Sequence, residues 1–127
     1  MREILFRGKR VDNGEWIEGS FLPGNERQTL HPCIFVYLPE TQSFECFDID
    51  IDTLGEYTGL MDRNATRIFE GDVIKDDKHL YLIEWYASDF DAGFWPFICS
   101  ANCRAVRSCN CEIIGNIHDN PELLKGA

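Results

Sequence analysis

The chain has 127 residues, 44% hydrophobic and 13% aromatic, and 22 acidic against 12 basic side chains give it a net charge of −10. That length suits one domain burying about two-thirds of its unfolded surface, so no covalent or metal staple is needed for folding. The acidic field repels phosphate backbones and anionic lipid, which excludes sequence-independent nucleic-acid binding and membrane-surface attachment and suits basic protein partners.

Short strands separated by turn residues are predicted along the whole chain. Ile4 and Phe6 alternate with Leu5 and Arg7, Asp12-Asn13-Gly14 supplies a turn, and Glu15 to Glu18 returns as partner strand. Asn-Gly between two such runs is a strong hairpin signal. Phe21 to His31, with Pro23, Gly24 and Asn25, reads as a loop. Cys33 to Leu38 is a continuous apolar run between Pro32 and Pro39, the profile of a strand buried on both faces. Gln42 to Phe47 reads as its antiparallel neighbour, and Asp48 to Leu54 fits a continued strand or one helical turn.

Tyr57 to Ile74 is predicted as a second hairpin unit, with its turn at Asp62-Arg63-Asn64 and a break at Gly71-Asp72. Leu80 to Tyr86 is a single strong strand, antiparallel to Val73-Ile74 because the connection through Asp76-Asp77-Lys78 is short. Phe94 to Cys99 is a strand candidate that Pro96 confines to an edge or bulge. Glu112 to Ile117 is the last strand, and Asn120-Pro121 opens a short terminal helix. The turn, strand, Glu-Gly, strand order of Asn13 to Phe21 is echoed in Asn64 to Val73, which fits either a duplication or generic hairpin chemistry.

The opening MREILFRGKR lacks the apolar run of a secretion signal, and Cys33 to Leu38 is too short to span a bilayer. A cytoplasmic protein with six reduced cysteines is therefore expected. Cys99, Cys103, Cys109 and Cys111 are the candidate metal ligands, with zinc the cofactor four thiolates would suit. Their C-x3-C-x5-C-x-C spacing lacks the C-x2-C knuckle, though Cys109 and Cys111 would share a face on a strand. Four small, partly buried side chains with no joint role is the plainer reading.

Asp48, Asp50 and Asp52 alternate like a calcium loop but meet Thr53 where Gly is required and Gly59 where Glu is required, so they read as the wet face of an edge strand. His31, His79 and His118 lie outside any recognisable nucleophile motif, and a Cys–His pair from Cys33 or Cys46 could form only in space. No Walker loop or dinucleotide turn is present. The sequence thus offers no catalytic or cofactor-binding residues. Trp85, Tyr86, Phe90, Phe94, Trp95 and Phe97 crowd together among Glu84, Asp89 and Asp91, as core strands or as an exposed patch for a protein partner.

RGKRVDNGEWIEG from Arg7, YTGL with EGDVI following, and IGNIHDNPELL to Leu124 resemble the YopX family of bacteriophage and prophage proteins, a likeness spanning Met1 to Leu124. The family carries no assigned activity and no catalytic residues to transfer. The likeness implies a phage accessory protein in a bacterial host cytoplasm, oligomeric and mainly β. Together with the strand pattern it gives a β-rich α+β fold, in which short antiparallel strands form small barrel-like units with a short C-terminal helix. One domain over 1–127 is expected, with a division into two β lobes at about 1–55 and 56–127 left open. Gly14 and Gly59 would serve turns, and Trp16 and Ile17 the core. Asn64-Ala65 replaces the Asn-Gly expected in the second turn, and alanine tolerates positive φ badly.

Three functions follow as expectations. The first is non-enzymatic protein binding or self-association as a homo-oligomer. The second is acidic mimicry of nucleic acid, which needs the acids of Asp48 to Glu56 and Asp72 to Asp91 on one face. The third is a metalloprotein or enzyme using the Cys99 to Cys111 cluster.

Overall fold

The computed structural model describes residues 3–25, 31–87, 92–97 and 106–125. Antiparallel strands dominate, and the chain divides into two compact units, Met1–Tyr57 and Thr58–Ala127.

The first unit begins with the hairpin of β1 (Phe6–Arg10) and β2 (Trp16–Leu22). Its loop is closed by Arg10 N–H to Glu15 O at 2.9 Å and Gly14 N–H to Arg10 O at 2.9 Å, with Gly14 at φ 73°. That is the four-residue form of the predicted turn, in which glycine supplies the left-handed residue. β2 pairs with β3 (Cys33–Leu38), and β3 with the first part of β4 (Ser43–Met61). β4 then turns back onto β1, from Arg10 opposite Ile49 to Phe6 opposite Glu56, so the sheet is partly ring-closed.

Closing so small a ring needs irregularity. Two steps along β1 from Arg7 to Lys9 correspond to five along β4, from Gly55 to Asp50, and Thr53 Oγ1 takes the Lys9 N–H left over at 2.9 Å. Ile34, Ile49, Cys33 and Tyr57 are buried. Gly19 shows how tight the interior is: a Cβ there would lie 2.1 Å from the Phe35 carbonyl oxygen.

In the second unit the chain leaves β4 through a turn at 62–66 into β5 (Arg67–Phe69), then β6 (Asp72–Lys75) and β7 (Leu80–Leu82). β6 is central in a three-stranded antiparallel sheet between β7 and β10 (Glu112–Asn116). A separate two-stranded sheet pairs β8 (Glu84–Ala87) with β9 (Ala92–Trp95). Ile68, Ile74, Ile83, Phe94 and Cys111 form the buried core.

The turn at 62–66 is organised by one buried carboxylate. Asp62 Oδ1 accepts from the N–H groups of Asn64 and Thr66 at 2.9 and 3.0 Å, and Oδ2 accepts from Ile113 N–H at 3.0 Å. Ala65 sits at φ 61° in spite of its Cβ, because Asp62 satisfies the groups around it.

Several expectations are corrected. Phe21 and Leu22 belong to β2, and β3 is buried at Cys33 and Ile34 but exposed at Tyr37. Asp48 to Leu54 is strand rather than a helical turn, paired with β3 at Asp48 and with β1 at Ile49 and Asp50. Gly59, at φ 86°, lies within β4 and not in a turn. Trp16 is half-buried under the side chains of Arg7 and Lys9, 4.7 and 5.5 Å from its ring, so cation–π contact takes the place of core burial. Leu80 to Tyr86 is two strands in two sheets, broken at Ile83. The terminal helix is a 3-10 turn, Pro121–Leu124, with no side-chain cap from Asn120. The echoed Glu-Gly pairs differ in structure: Glu18-Gly19 lies inside β2, whereas Glu70-Gly71 is a turn with Gly71 at φ 93°.

The expectation of six free thiols also fails. Cys33 and Cys46 form a disulfide with Cα atoms 6.1 Å apart. The register explains it: Cys33 faces Asp48 and Phe35 faces Cys46, so the two cysteines are diagonal neighbours on one sheet face.

Candidate functional site

Two features of the second unit present chemistry to solvent. The first is the β8–β9 sheet, which pairs with no other strand among the described residues. Glu84 is opposite Trp95, Trp85 opposite Phe94, Tyr86 opposite Gly93 and Ala87 opposite Ala92. Alternation therefore sends Trp85, Phe94 and the two alanines to one face and Glu84, Tyr86 and Trp95 to the other. Phe94 is 7% exposed, joins the core, and holds the Trp85 ring edge-on at 5.1 Å. It anchors the sheet. Tyr86 and Trp95, on the opposite face, are 50% and 43% exposed. Gly93 opposite Tyr86 leaves that ring without a cross-strand side chain.

The second feature is a groove between the β6–β7 turn and the segment 106–111. A cavity of about 440 Å³ is lined by Asp76, Lys78, His79, Tyr81, Arg107 and Asn110, over Val106 and Cys111. The Asp76 carboxylate organises its rim, accepting from the N–H groups of Lys78 and His79 at 2.8 and 2.7 Å and from the Tyr81 hydroxyl at 3.3 Å. The two backbone N–H groups hold Asp76 below the ordinary carboxylate range. Burial, then the Asp76 charge, pushes the Tyr81 phenol up, so it stays a protonated donor.

The cysteine tetrad is only half within the described residues, since Cys99 and Cys103 lie outside them. Cys109 and Cys111 do not share a strand face: Cys109 is exposed on the 3-10 turn Ser108–Asn110, and Cys111 is buried at its end. The Cys111 thiol donates to Arg107 O at 3.4 Å, and burial raises its pKa. Among the described residues no three His, Cys, Asp or Glu side chains are gathered as a metal would require.

Of the remaining sequence candidates, Asp48, Asp50 and Asp52 are exposed on β4, and the Asp50 carboxylate is turned back to Asp52 N–H at 3.1 Å. Asp72 is buried, and its Oδ2 accepts from Phe69 N–H at 2.8 Å, so it belongs to no acidic face. Phe90, Asp89 and Asp91 lie outside the described residues. Sequence reading missed the groove, because its walls come from segments about thirty residues apart and Asp76-Asp77-Lys78 looked like nothing more than a short connection.

Against known proteins, the model of the YopX protein family matches residues 5–125. The chain belongs to the YopX family. The crystal structure of protein EF1440 from Enterococcus faecalis is similar in fold, with a TM-score of 0.51, 24% identity, and coverage of 98% of this chain and 99% of that one. No curated protein matches the sequence. Among the described residues of this YopX-family chain, no helix is long and apolar enough to cross a membrane.

Proposed function

We propose that this YopX-family chain is a non-enzymatic protein-binding module whose docking face is the Tyr86–Trp95 side of the β8–β9 sheet. The carrying observation is the division of labour across that sheet. Phe94 secures one face to the core, with the half-exposed Trp85 ring packed against it, while two half-exposed aromatic rings with no core contact among the described residues occupy the other. Tyr and Trp are the residues that dominate protein–protein contacts, offering large rigid area and a polar tip. Glu84 lies across from Trp95, and the chain carries −10 overall. The fitting partner therefore has an apolar contact ringed by basic side chains.

The test compares the tagged parent with a Tyr86→Ala/Trp95→Ala variant in pull-downs from bacterial lysate at low and high salt. A stoichiometric basic protein held by the parent, released by salt and lost by the variant is the expected result. Identical recovery by both, or light scattering showing that the face pairs two copies, overturns the reading. The nucleic-acid-mimic reading is disfavoured because Asp72, one of the acids it needs on a shared face, is buried.

A further inference from the structure

We propose that the groove between the β6–β7 turn and the segment 106–111 binds a small phosphate-bearing ligand. Lys78 and Arg107 reach this one cavity from the two segments that form its walls. Neither is in an ion pair among the described residues, although acids outnumber bases 22 to 12 in the chain. The nearby Arg63 is different, since it already pairs with Glu112. The acid in the cavity, Asp76, turns its oxygens to three other donors and forms no ion pair with either cation among the described residues.

Further donors surround the two cations. His79 contributes an imidazole beside Lys78 on one wall, and Asn110 an amide near Arg107 on the other. A guanidinium, an ammonium and neutral donors around one space match a tetrahedral dianion better than a planar monoanion. Val106, Cys111 and the Tyr81 ring give the cavity an apolar floor, and His79 and Tyr81 stand with ring centroids 6.0 Å apart. A volume of about 440 Å³ exceeds what phosphate alone would fill, leaving room for a small organic body on that floor. The site is separate from the Tyr86–Trp95 face, and neither proposal depends on the other.

The experiment is a titration of the full chain with inorganic phosphate, followed by NMR of the Asn110 side-chain amide and the His79 ring. Sodium chloride at matched ionic strength and sodium acetate serve as controls. Saturable shifts at both groups with phosphate alone are expected. Arg107→Gln and Lys78→Gln should each weaken binding about tenfold, the effect of one charge-assisted contact, while Lys125→Gln outside the cavity leaves it unchanged. Shifts that rise linearly without saturating, an equal response to chloride or acetate, or full affinity in Arg107→Gln would each overturn the proposal. Arg107 and Lys78 are both exposed, so their variants keep the fold and the outcome can be read.

Discussion

The β6–β7–β10 sheet and the β8–β9 sheet are built from adjoining sequence of similar character, yet they use their apolar residues in opposite ways. Val73, Ile74 and Ile83 are wholly buried in and beside the first, whereas Trp85, Tyr86 and Trp95 stand about half exposed on the second. Ile83 marks the change. Up to it, the chain is hydrogen-bonded into the layer covered by the core; beyond it, β8 is fully exposed and only Phe94 of β9 reaches that core. An apolar side chain contributes to stability only where another layer covers it, and where none does it is available for recognition.

This contrast can be tested by substitution. Ile74→Ala should have the largest effect, about 4 kcal/mol lost in urea unfolding, because it empties the centre of the buried layer. Asp62→Ala should cost about 3 kcal/mol by the same measurement, since three backbone N–H groups lose their acceptor. Asp62 also predicts a pH dependence. Burial opposes its charge, but the N–H groups of Ile113, Thr66 and Asn64 outweigh that, and its pKa lies below the ordinary value. The unfolded pKa is about 3.9, so the stabilisation is complete above that pH and is lost as pH falls through the lower folded value. The urea midpoint of Asp62→Asn should show less of this acid-side loss than the parent.

The disulfide comes next. Cys33–Cys46 closes a short loop of β3 and β4, and Cys46→Ser should cost about 2 kcal/mol, with reduction of the parent by dithiothreitol giving the same loss. A smaller and opposite effect is expected at the second turn. Ala65→Gly relieves a non-glycine residue at φ 61° and should raise stability by about 1 kcal/mol.

Much of the fold was legible because its signals are local. Asn13-Gly14 marks the first hairpin, Pro32 and Pro39 bracket β3, and Gly71 separates β5 from β6. The features that escaped depend on distant partners. Ala65 can occupy its turn because Asp62 is locked by Ile113, 51 residues further on. The Cys33–Cys46 pairing follows from strand register, which spacing alone does not reveal. The split of Leu80 to Tyr86 depends on which residues a second layer covers, and that apolar run reads the same on either side of Ile83. The aromatic cluster was visible as a group, but only the β8–β9 register separates the anchoring Phe94 from the outward Tyr86 and Trp95.

Urea unfolding of the Tyr86→Ala/Trp95→Ala variant tests most directly whether those rings serve recognition rather than stability. A loss of less than about 1 kcal/mol, the scale of surface substitutions, is the predicted result. A loss approaching that of Ile74→Ala would show that the rings are structural, and would contradict the assignment of this face to a partner.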